Sequence, residues 1–167
     1  YKKPLVFTPR AKRLYAVMLG LALIIPAITG LITGNLATAC KIGLAEIVLS
    51  PLFTLTANIL LRPVEKSINR RYYNEAASIL RSMPDLKVIG ITGSYGKTST
   101  KHYLHHILSQ EFETLMTPGS YNTTMGVIRT IREMMRPYTQ IFIAEMGAKQ
   151  PGDIKEICDL VNPEIGI

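Results

Sequence analysis

The feature that most constrains the fold is the apolar run "KVIGI" at residues 87–91, followed by the glycine-rich loop "TGSYGKT" and a helical stretch. Glycines let the backbone approach an anion closely, and the N-terminus of the following helix offers free N–H groups and a positive dipole end. A strand, loop and helix of this kind bind phosphate in P-loop proteins. The general pattern requires glycine at position 91, where this chain has Ile91.

The P-loop pattern assigns roles by position. Lys97 is expected to contact the β- and γ-phosphates of a nucleotide, and the Thr98 hydroxyl is expected to bind Mg²⁺. The loop therefore predicts the phosphates of a nucleotide and Mg²⁺ as ligands. The other predicted nucleotide-binding residues share the loop or the first helical turn; they are Gly93, Ser94, Tyr95, Gly96 and Ser99.

Strands and helices alternate after residue 84, which predicts an α/β fold with a P-loop parallel sheet and crossover helices. Such sheets bind ligands beyond the carboxyl ends of their strands, where the glycine-rich loop lies. The predicted strands are 87–91, 112–116, 140–145 and 164–167, and the predicted helices are 98–110, 125–135 and 152–161.

Two more polar features follow predicted strands. Glu145 ends the strand "QIFIAE", where a carboxylate is suited to Mg²⁺, since this ion takes only one or two carboxylates. Thr98 and Glu145 are therefore the predicted metal ligands. The loop "TPGSYNTTMG" places Asn122 and Thr123 after another strand, and we predict that they face the substrate, although an ordinary turn also explains this loop.

The first part of the chain is apolar in two long runs. Residues 14–33 carry no charge and residues 42–61 carry only Glu46, and each run, at about 1.5 Å per residue, is long enough to cross a hydrocarbon core of roughly 30 Å. Pro26 and Pro51 are tolerated in membrane helices. The sequence thus predicts an all-α two-helix transmembrane hairpin. A cleaved signal peptide and a buried helical hairpin are the alternatives.

The net charge of +7 lies in the first half of the chain, because acids and bases nearly balance after residue 84. Basic residues flank the two apolar runs on their outer sides, and the connection between the runs has only Lys41. By the positive-inside rule this predicts a cytoplasmic-membrane protein with both termini and the ATP-binding domain on the cytoplasmic side. Membrane lipid is a predicted partner and nucleic acid is not. The flanking residues are Lys2, Lys3, Arg10, Lys12, Arg13, Arg62, Lys66, Arg70 and Arg71.

Three regions are predicted: a basic flank and membrane hairpin at 1–62, an amphipathic connecting helix at 63–84, and the ATP-binding domain at 85–167. The connecting helix is expected to pack on the following domain or to lie on the inner leaflet.

Cys40 and Cys158 lie too far apart for a zinc site, and His102 and His106 are expected on an exposed helix face. Because the chain starts at Tyr1 and stops within an apolar run, we expect a fragment.

Four motifs together are similar to a known family. In their order and separations, "ITGSYGKTSTK", "TPGSYNTTMGV", "AEMGAKQPGDI" and "LVNPEIGI" resemble the central ATP-binding domain of the Mur ligase family. Within the family, the likeness is greatest to ligases that add D-alanyl-D-alanine to a UDP-muramoyl-tripeptide. The resemblance covers about residues 86–167. The family uses the shorter loop T-G-x-x-G-K-[TS], which removes the objection raised by Ile91.

The resemblance implies a function. ATP would phosphorylate a substrate carboxylate, and an amine would attack the acyl phosphate to form an amide in peptidoglycan precursor synthesis. Gly93, Gly96 and Lys97 would hold the phosphates, Thr98 and Glu145 would bind magnesium, and Asn122 would lie near the transferred phosphate. Lys97 and Asn122 are thus the expected catalytic residues.

The resemblance also implies partners and missing parts. The partners would be ATP, a UDP-muramoyl-peptide-like carboxylate and an amino acid or dipeptide. The family's second magnesium site, its carbamylated lysine and its amine-binding C-terminal domain would lie beyond Ile167, so the fragment alone is expected to be inactive.

Two other functions are compatible with a membrane hairpin joined to a P-loop domain. A tyrosine autokinase has this arrangement, but "AEMG" offers a glutamate where that class has aspartate-rich magnesium motifs. A membrane scaffold that binds nucleotide without turnover is the other alternative. Lys97, Thr98 and Glu145 together favour catalysis over this possibility.

Overall fold

The computed structural model describes residues 7–167, so Lys2 and Lys3 of the basic flank lie outside the described residues. The chain divides into two compact units between Lys66 and Ser67. This division falls a few residues after the predicted end of the membrane region at residue 62.

The first unit is helical. It contains α1 (Pro9–Thr33), α2 (Leu36–Val48) and the first half of α3 (Ser50–Arg81). The Thr8 hydroxyl accepts a hydrogen bond from the Ala11 N–H at 3.2 Å, which caps α1. Helix α1 is long and apolar enough to cross a membrane, and none of its residues is buried.

The predicted second span is not one helix. Helices α2 and α3 meet at Leu49 with a bend of 82°, so they are long and apolar enough to cross a membrane only when both are taken together as a bent pair. Pro51 has no N–H to continue the α2 ladder, and it lies in the first turn of α3, where proline is tolerated. The predicted second span is therefore a bent pair of helices, and the two-span membrane hairpin stays a prediction. Helix α3 also runs through Pro63, which joins the predicted span to the predicted connecting helix.

The second unit confirms the predicted α/β fold. Four parallel strands form one sheet in the order β2-β3-β1-β4. The helices and strands alternate along the chain as β1 (Lys87–Ile91), α4 (Lys97–Leu108), β2 (Thr114–Met116), α5 (Thr124–Met134), β3 (Ile141–Glu145), α6 (Asp153–Val161) and β4 (Ile165–Gly166).

The two faces of the sheet carry separate hydrophobic clusters because side chains alternate along a strand. Phe142 and Ala144 of β3 belong to the cluster that includes buried residues of α5 and α6. Ile141 and Ile143 belong to the other cluster, against which Leu104 of α4 packs. The sheet therefore lies between α4 on one face and α5 and α6 on the other.

The end of α3 is part of the second unit and packs on its core. Ala76 is fully buried in the α5 and α6 cluster, and Tyr72 and Ile79 pack against it. The Arg132 guanidinium lies 4.1 Å from the Tyr72 ring centroid and forms an ion pair with Glu75 at 2.9 Å. This half of the predicted connecting helix thus packs on the following domain.

Truncating Ile143 to valine should lower the free energy of unfolding by about 1 kcal/mol, because one buried methyl group is lost from the core of the sheet. Ile143 has no exposed surface. Ile165→Val is the matched control, since Ile165 is 53% exposed and its substitution should have a much smaller effect. Urea denaturation measures both, and equal losses would contradict this assignment of the core.

Candidate functional site

The candidate site lies at the carboxyl ends of β1 and β3. These strands are neighbours, and Ile91 is paired in register with Glu145. The glycine-rich loop leaves β1 at this edge and leads into α4. The loop from Thr117 to Thr123 leaves β2 at the same edge, because all the strands are parallel. Three predicted features therefore meet at one crevice.

The glycine-rich loop has the backbone of an anion site. Gly93 and Gly96 have φ of 139° and 78°, a region that favours glycine. Gly96 is the N-cap of α4, and no side chain among the described residues caps it by a hydrogen bond. The N–H groups of the first α4 turn are therefore available to a phosphate.

The side chains of the predicted loop residues lie in different surroundings. The Lys97 ammonium donates a hydrogen bond to the Gly93 carbonyl and so lies back over the loop. Thr98 faces Glu145. The side chains of Ser94, Tyr95 and Ser99 are exposed, and Tyr95 is 95% exposed.

Glu145 is the centre of a polar cluster and is only 1% exposed. The Thr98 hydroxyl donates to its carboxylate at 3.1 to 3.2 Å, and the Asn122 amide donates at 3.4 Å. The Lys101 ammonium forms an ion pair with it at 2.8 Å. Thr98, Asn122 and Glu145, which come from three separate motifs, are thus brought together.

Lys101 was not among the residues predicted from the sequence. It lies one turn after Lys97 on α4, has no exposed surface, and also donates to the Gly119 carbonyl. Its ammonium therefore links α4, the loop after β2 and the end of β3. The only available signal was its position four residues after Lys97, because residues four apart lie on one face of a helix.

Burial and charge act in opposite directions on the pKa of Glu145. Burial raises the pKa of this carboxyl, but the Lys101 ammonium and the hydrogen bonds from Thr98 and Asn122 outweigh burial and hold the pKa below its ordinary value. The carboxylate is therefore ionised at neutral pH.

Asn122 and Thr123 differ in what their side chains do. The Thr123 hydroxyl accepts a hydrogen bond from the Gly126 N–H at 3.3 Å and thus caps α5. The Asn122 backbone carbonyl accepts from the Gly147 N–H at 2.7 Å, which holds this loop against the turn after β3. The Asn122 side chain is directed at the crevice, whereas Thr123 has an evident structural role.

Replacing Gly147 with alanine should displace the Asn122 side chain. A Cβ at this position would lie 2.8 Å from Asn122 Cγ, closer than Cβ atoms approach in real structures. In the full-length protein, we expect any reaction that uses this crevice to slow about tenfold, since small displacements of positioning groups are costly in catalysis. Gly43→Ala is the control, because nothing lies within 4 Å of a Cβ there. Steady-state kinetics measure both, and equal rates would contradict the proposed contact.

Thr98 and Glu145 supply the hard oxygen donors that Mg²⁺ prefers, and they converge beside the phosphate loop. Within residues 7–167, no group of three or more His, Cys, Asp or Glu side chains could hold a metal ion. His102 and His106 are exposed, as predicted, and both cysteines are free. The site thus fits a metal ion that is shared with a nucleotide.

Comparison with known families gives a match for residues 91–167 to the family described as Mur ligase middle domain. The chain is 36% identical over 81 residues to UDP-N-acetylmuramoyl-tripeptide--D-alanyl-D-alanine ligase of Bacillus subtilis (strain 168), covering 48% of this chain and 18% of that protein. The enzyme of the same name from Escherichia coli (strain K12) is 36% identical over 98 residues, covering 59% of this chain and 22% of that protein. The chain therefore spans about a fifth of these relatives.

Solved structures give the same result. MurF from Acinetobacter baumannii is similar with a TM-score of 0.55 and 36% identity, over 57% of this chain and 21% of that one. The MurF ligase from Thermotoga maritima in complex with ADP is similar with a TM-score of 0.53 and 33% identity, over 56% of this chain and 22% of that one. The resemblance predicted from the four motifs is confirmed.

Proposed function

We propose that this chain belongs to an ATP-dependent ligase that forms an amide bond through an acyl phosphate, because residues 91–167 match the Mur ligase middle domain. The observation that carries the proposal is the convergence of Thr98, Asn122 and Lys101 on the buried Glu145 carboxylate beside the phosphate loop. The similar ligase from Thermotoga maritima was solved with ADP, which supports a nucleotide as the ligand of this domain.

The phosphates of ATP would be held by the loop. Backbone N–H groups at the start of α4 donate to phosphate oxygens, and the positive φ of Gly93 and Gly96 lets the backbone approach them. The Lys97 ammonium neutralises charge that develops on the transferred phosphoryl group. To reach the phosphates, Lys97 exchanges its bond to the Gly93 carbonyl for phosphate oxygens.

Thr98 and Glu145 would hold Mg²⁺, which when bound polarises the phosphoryl oxygens and neutralises their charge. Asn122 can donate its amide hydrogens to the phosphoryl group or to the substrate carboxylate. The substrate carboxylate oxygen attacks the γ-phosphorus, and ADP leaves. The amine then attacks the acyl carbon, and inorganic phosphate leaves with the carboxylate oxygen while the amine gives up a proton to the phosphate or to solvent.

The relatives' names suggest the substrates. Both are ligases for UDP-N-acetylmuramoyl-tripeptide and D-alanyl-D-alanine, so we propose a UDP-muramoyl-peptide-like carboxylate and a dipeptide or amino acid as the amine. The test is release of phosphate from ATP by the full-length protein, with each substrate alone and with both. We expect release only with both. ATP binding without release under any condition would favour a nucleotide-binding scaffold.

We also propose that the first unit anchors the enzyme in the cytoplasmic membrane with its basic ends inside. Many large apolar side chains of this unit are exposed, with Leu31 at 83% as an example. Arg13 of α1 and Glu65 of α3 form an ion pair at 2.7 Å. This ion pair holds the start of α1 beside the part of α3 that follows the second apolar run. It therefore supports an arrangement in which both basic ends lie on the same side of the membrane.

Labelling of cysteines tests this topology. Cys40 lies just after the turn between α1 and α2, and Cys158 lies in α6. A membrane-impermeant maleimide applied to intact spheroplasts should label Cys40 and should not label Cys158 until the membrane is opened. The Cys40→Ser variant is the control, because any labelling that remains in it comes from other cysteines. Labelling of neither residue before lysis would reject this topology.

A further inference from the structure

The charge of the Glu145 cluster affects whether the site attracts a free metal ion or only a metal ion bound to a nucleotide. Glu145 is the carboxylate that contacts Thr98, and Lys101 already forms a buried ion pair with it at 2.8 Å. Side-chain exposure is 0% for Lys101 and 2% for Glu145, so solvent screens this pair only weakly. The pair carries no net charge, and nearby Lys97 adds a positive one.

A site of this charge has little attraction for a free divalent cation. Ion sites that bind without a nucleotide use several negative ligands, whereas here one carboxylate is already neutralised. The same site attracts the anionic complex of metal and nucleotide, because phosphates supply the missing negative charge and the missing ligands. The three donors on Glu145 also satisfy its carboxylate in the absence of metal.

We propose that Lys101 is a positioning residue that keeps the Glu145 site closed to free divalent cations and makes metal binding depend on the nucleotide. The inference rests on the proposed function, since it concerns the metal ion that accompanies ATP. Lys101 holds one carboxylate oxygen and the Gly119 carbonyl in place, while Thr98 and Asn122 exchange their bonds to Glu145 when the complex enters.

Binding of Mn²⁺, which takes the same oxygen donors as Mg²⁺, can be followed by electron paramagnetic resonance on the full-length protein in detergent. The part of the binding that is lost in Glu145→Gln defines the site. For the wild type we expect affinity to rise about a hundredfold when ADP is added, because the phosphates supply charge and ligands. Wild-type affinities within about twofold with and without ADP would overturn the proposal.

The Lys101→Met variant tests the lysine itself. It should bind Mn²⁺ without nucleotide about tenfold more tightly than the wild type, since the carboxylate is no longer neutralised. Lys101→Arg keeps the charge and should behave like the wild type. Lys87→Met is the matched control, because Lys87 also pairs with a glutamate, at 2.9 Å, but its side chain is 63% exposed. A folded Lys101→Met protein with wild-type affinity for free Mn²⁺ would overturn the role of Lys101.

Wild-type affinities that are equal with and without ADP overturn the proposal even where Lys101→Met does not fold. Failure of this inference is also distinct from failure of the proposed function. Mn²⁺ binding that depends on ADP in a protein that forms no amide would reject the ligase reaction alone. Amide formation by a protein that binds free Mn²⁺ at Glu145 equally well without ADP would reject only the role proposed for Lys101.

Discussion

Replacing Lys97 with alanine should lower the rate of ATP turnover by about a hundredfold to a thousandfold, the usual effect of removing one group that stabilises transition-state charge. Lys97 begins α4 directly after the αL residue Gly96, and its ammonium lies over the loop. Its side chain lies outside both hydrophobic clusters of the sheet, so stability should be nearly unchanged. The loss should appear mainly in kcat, since developing charge is greatest in the transition state.

Steady-state kinetics on the full-length protein, together with its melting temperature, measure the Lys97 effect. Lys155→Ala is the control, because Lys155 is exposed on α6 and should leave the rate unchanged. A Lys97→Ala protein that keeps a rate within about threefold of the wild type would remove Lys97 from the phosphate site.

Replacing Lys101 with methionine should lower the free energy of unfolding by about 3–5 kcal/mol at neutral pH, because it leaves the Glu145 carboxylate buried without its partner. Lys101 and Glu145 both lie in the interior, so solvent cannot compensate. Glu145→Gln in addition should restore part of the loss, since a neutral amide needs no counter-charge. Urea denaturation of both single variants and the double variant gives the coupling energy.

The pH dependence gives the Lys101 prediction a second readout. In the wild type the pKa of Glu145 is lowered, so its stabilising effect is present above the unfolded pKa and is lost as pH falls through the folded pKa. Loss of Lys101 removes the largest contributions that lower this pKa, so the pKa of Glu145 should rise in the variant. The gap in stability between wild type and Lys101→Met should therefore narrow as the pH falls from 7 toward 4. A gap that does not change with pH would contradict the ion pair as its cause.

Much of the second unit was predictable because local signals agree there. The short apolar run of β3 and the glycines around Lys97 each predict one element, and the parallel sheet then brings their ends together. Glu145 was predictable from its place at a strand end. Lys101 was not, since a lysine in a helix is usually exposed, and only tertiary packing shows that this one is buried.

The first unit was less predictable for a related reason. Hydropathy gives the length of an apolar run but not its path, so residues 42–61 read as one span. The bend of 82° at Leu49 depends on how Pro51 begins a new helix. Helix α3 also continues through Pro63, although proline usually breaks or kinks a helix, so the sequence placed a boundary there.

Transfer of an oxygen isotope tests the central claim most directly. The UDP-muramoyl-tripeptide would carry ¹⁸O in its reacting carboxylate, and phosphate released in the presence of ATP and D-alanyl-D-alanine would be analysed by mass spectrometry. An acyl phosphate gives phosphate with one ¹⁸O atom from the carboxylate, together with the amide product, and we predict this result. Unlabelled phosphate, or phosphate transferred to a tyrosine of the protein, would contradict the ligase mechanism.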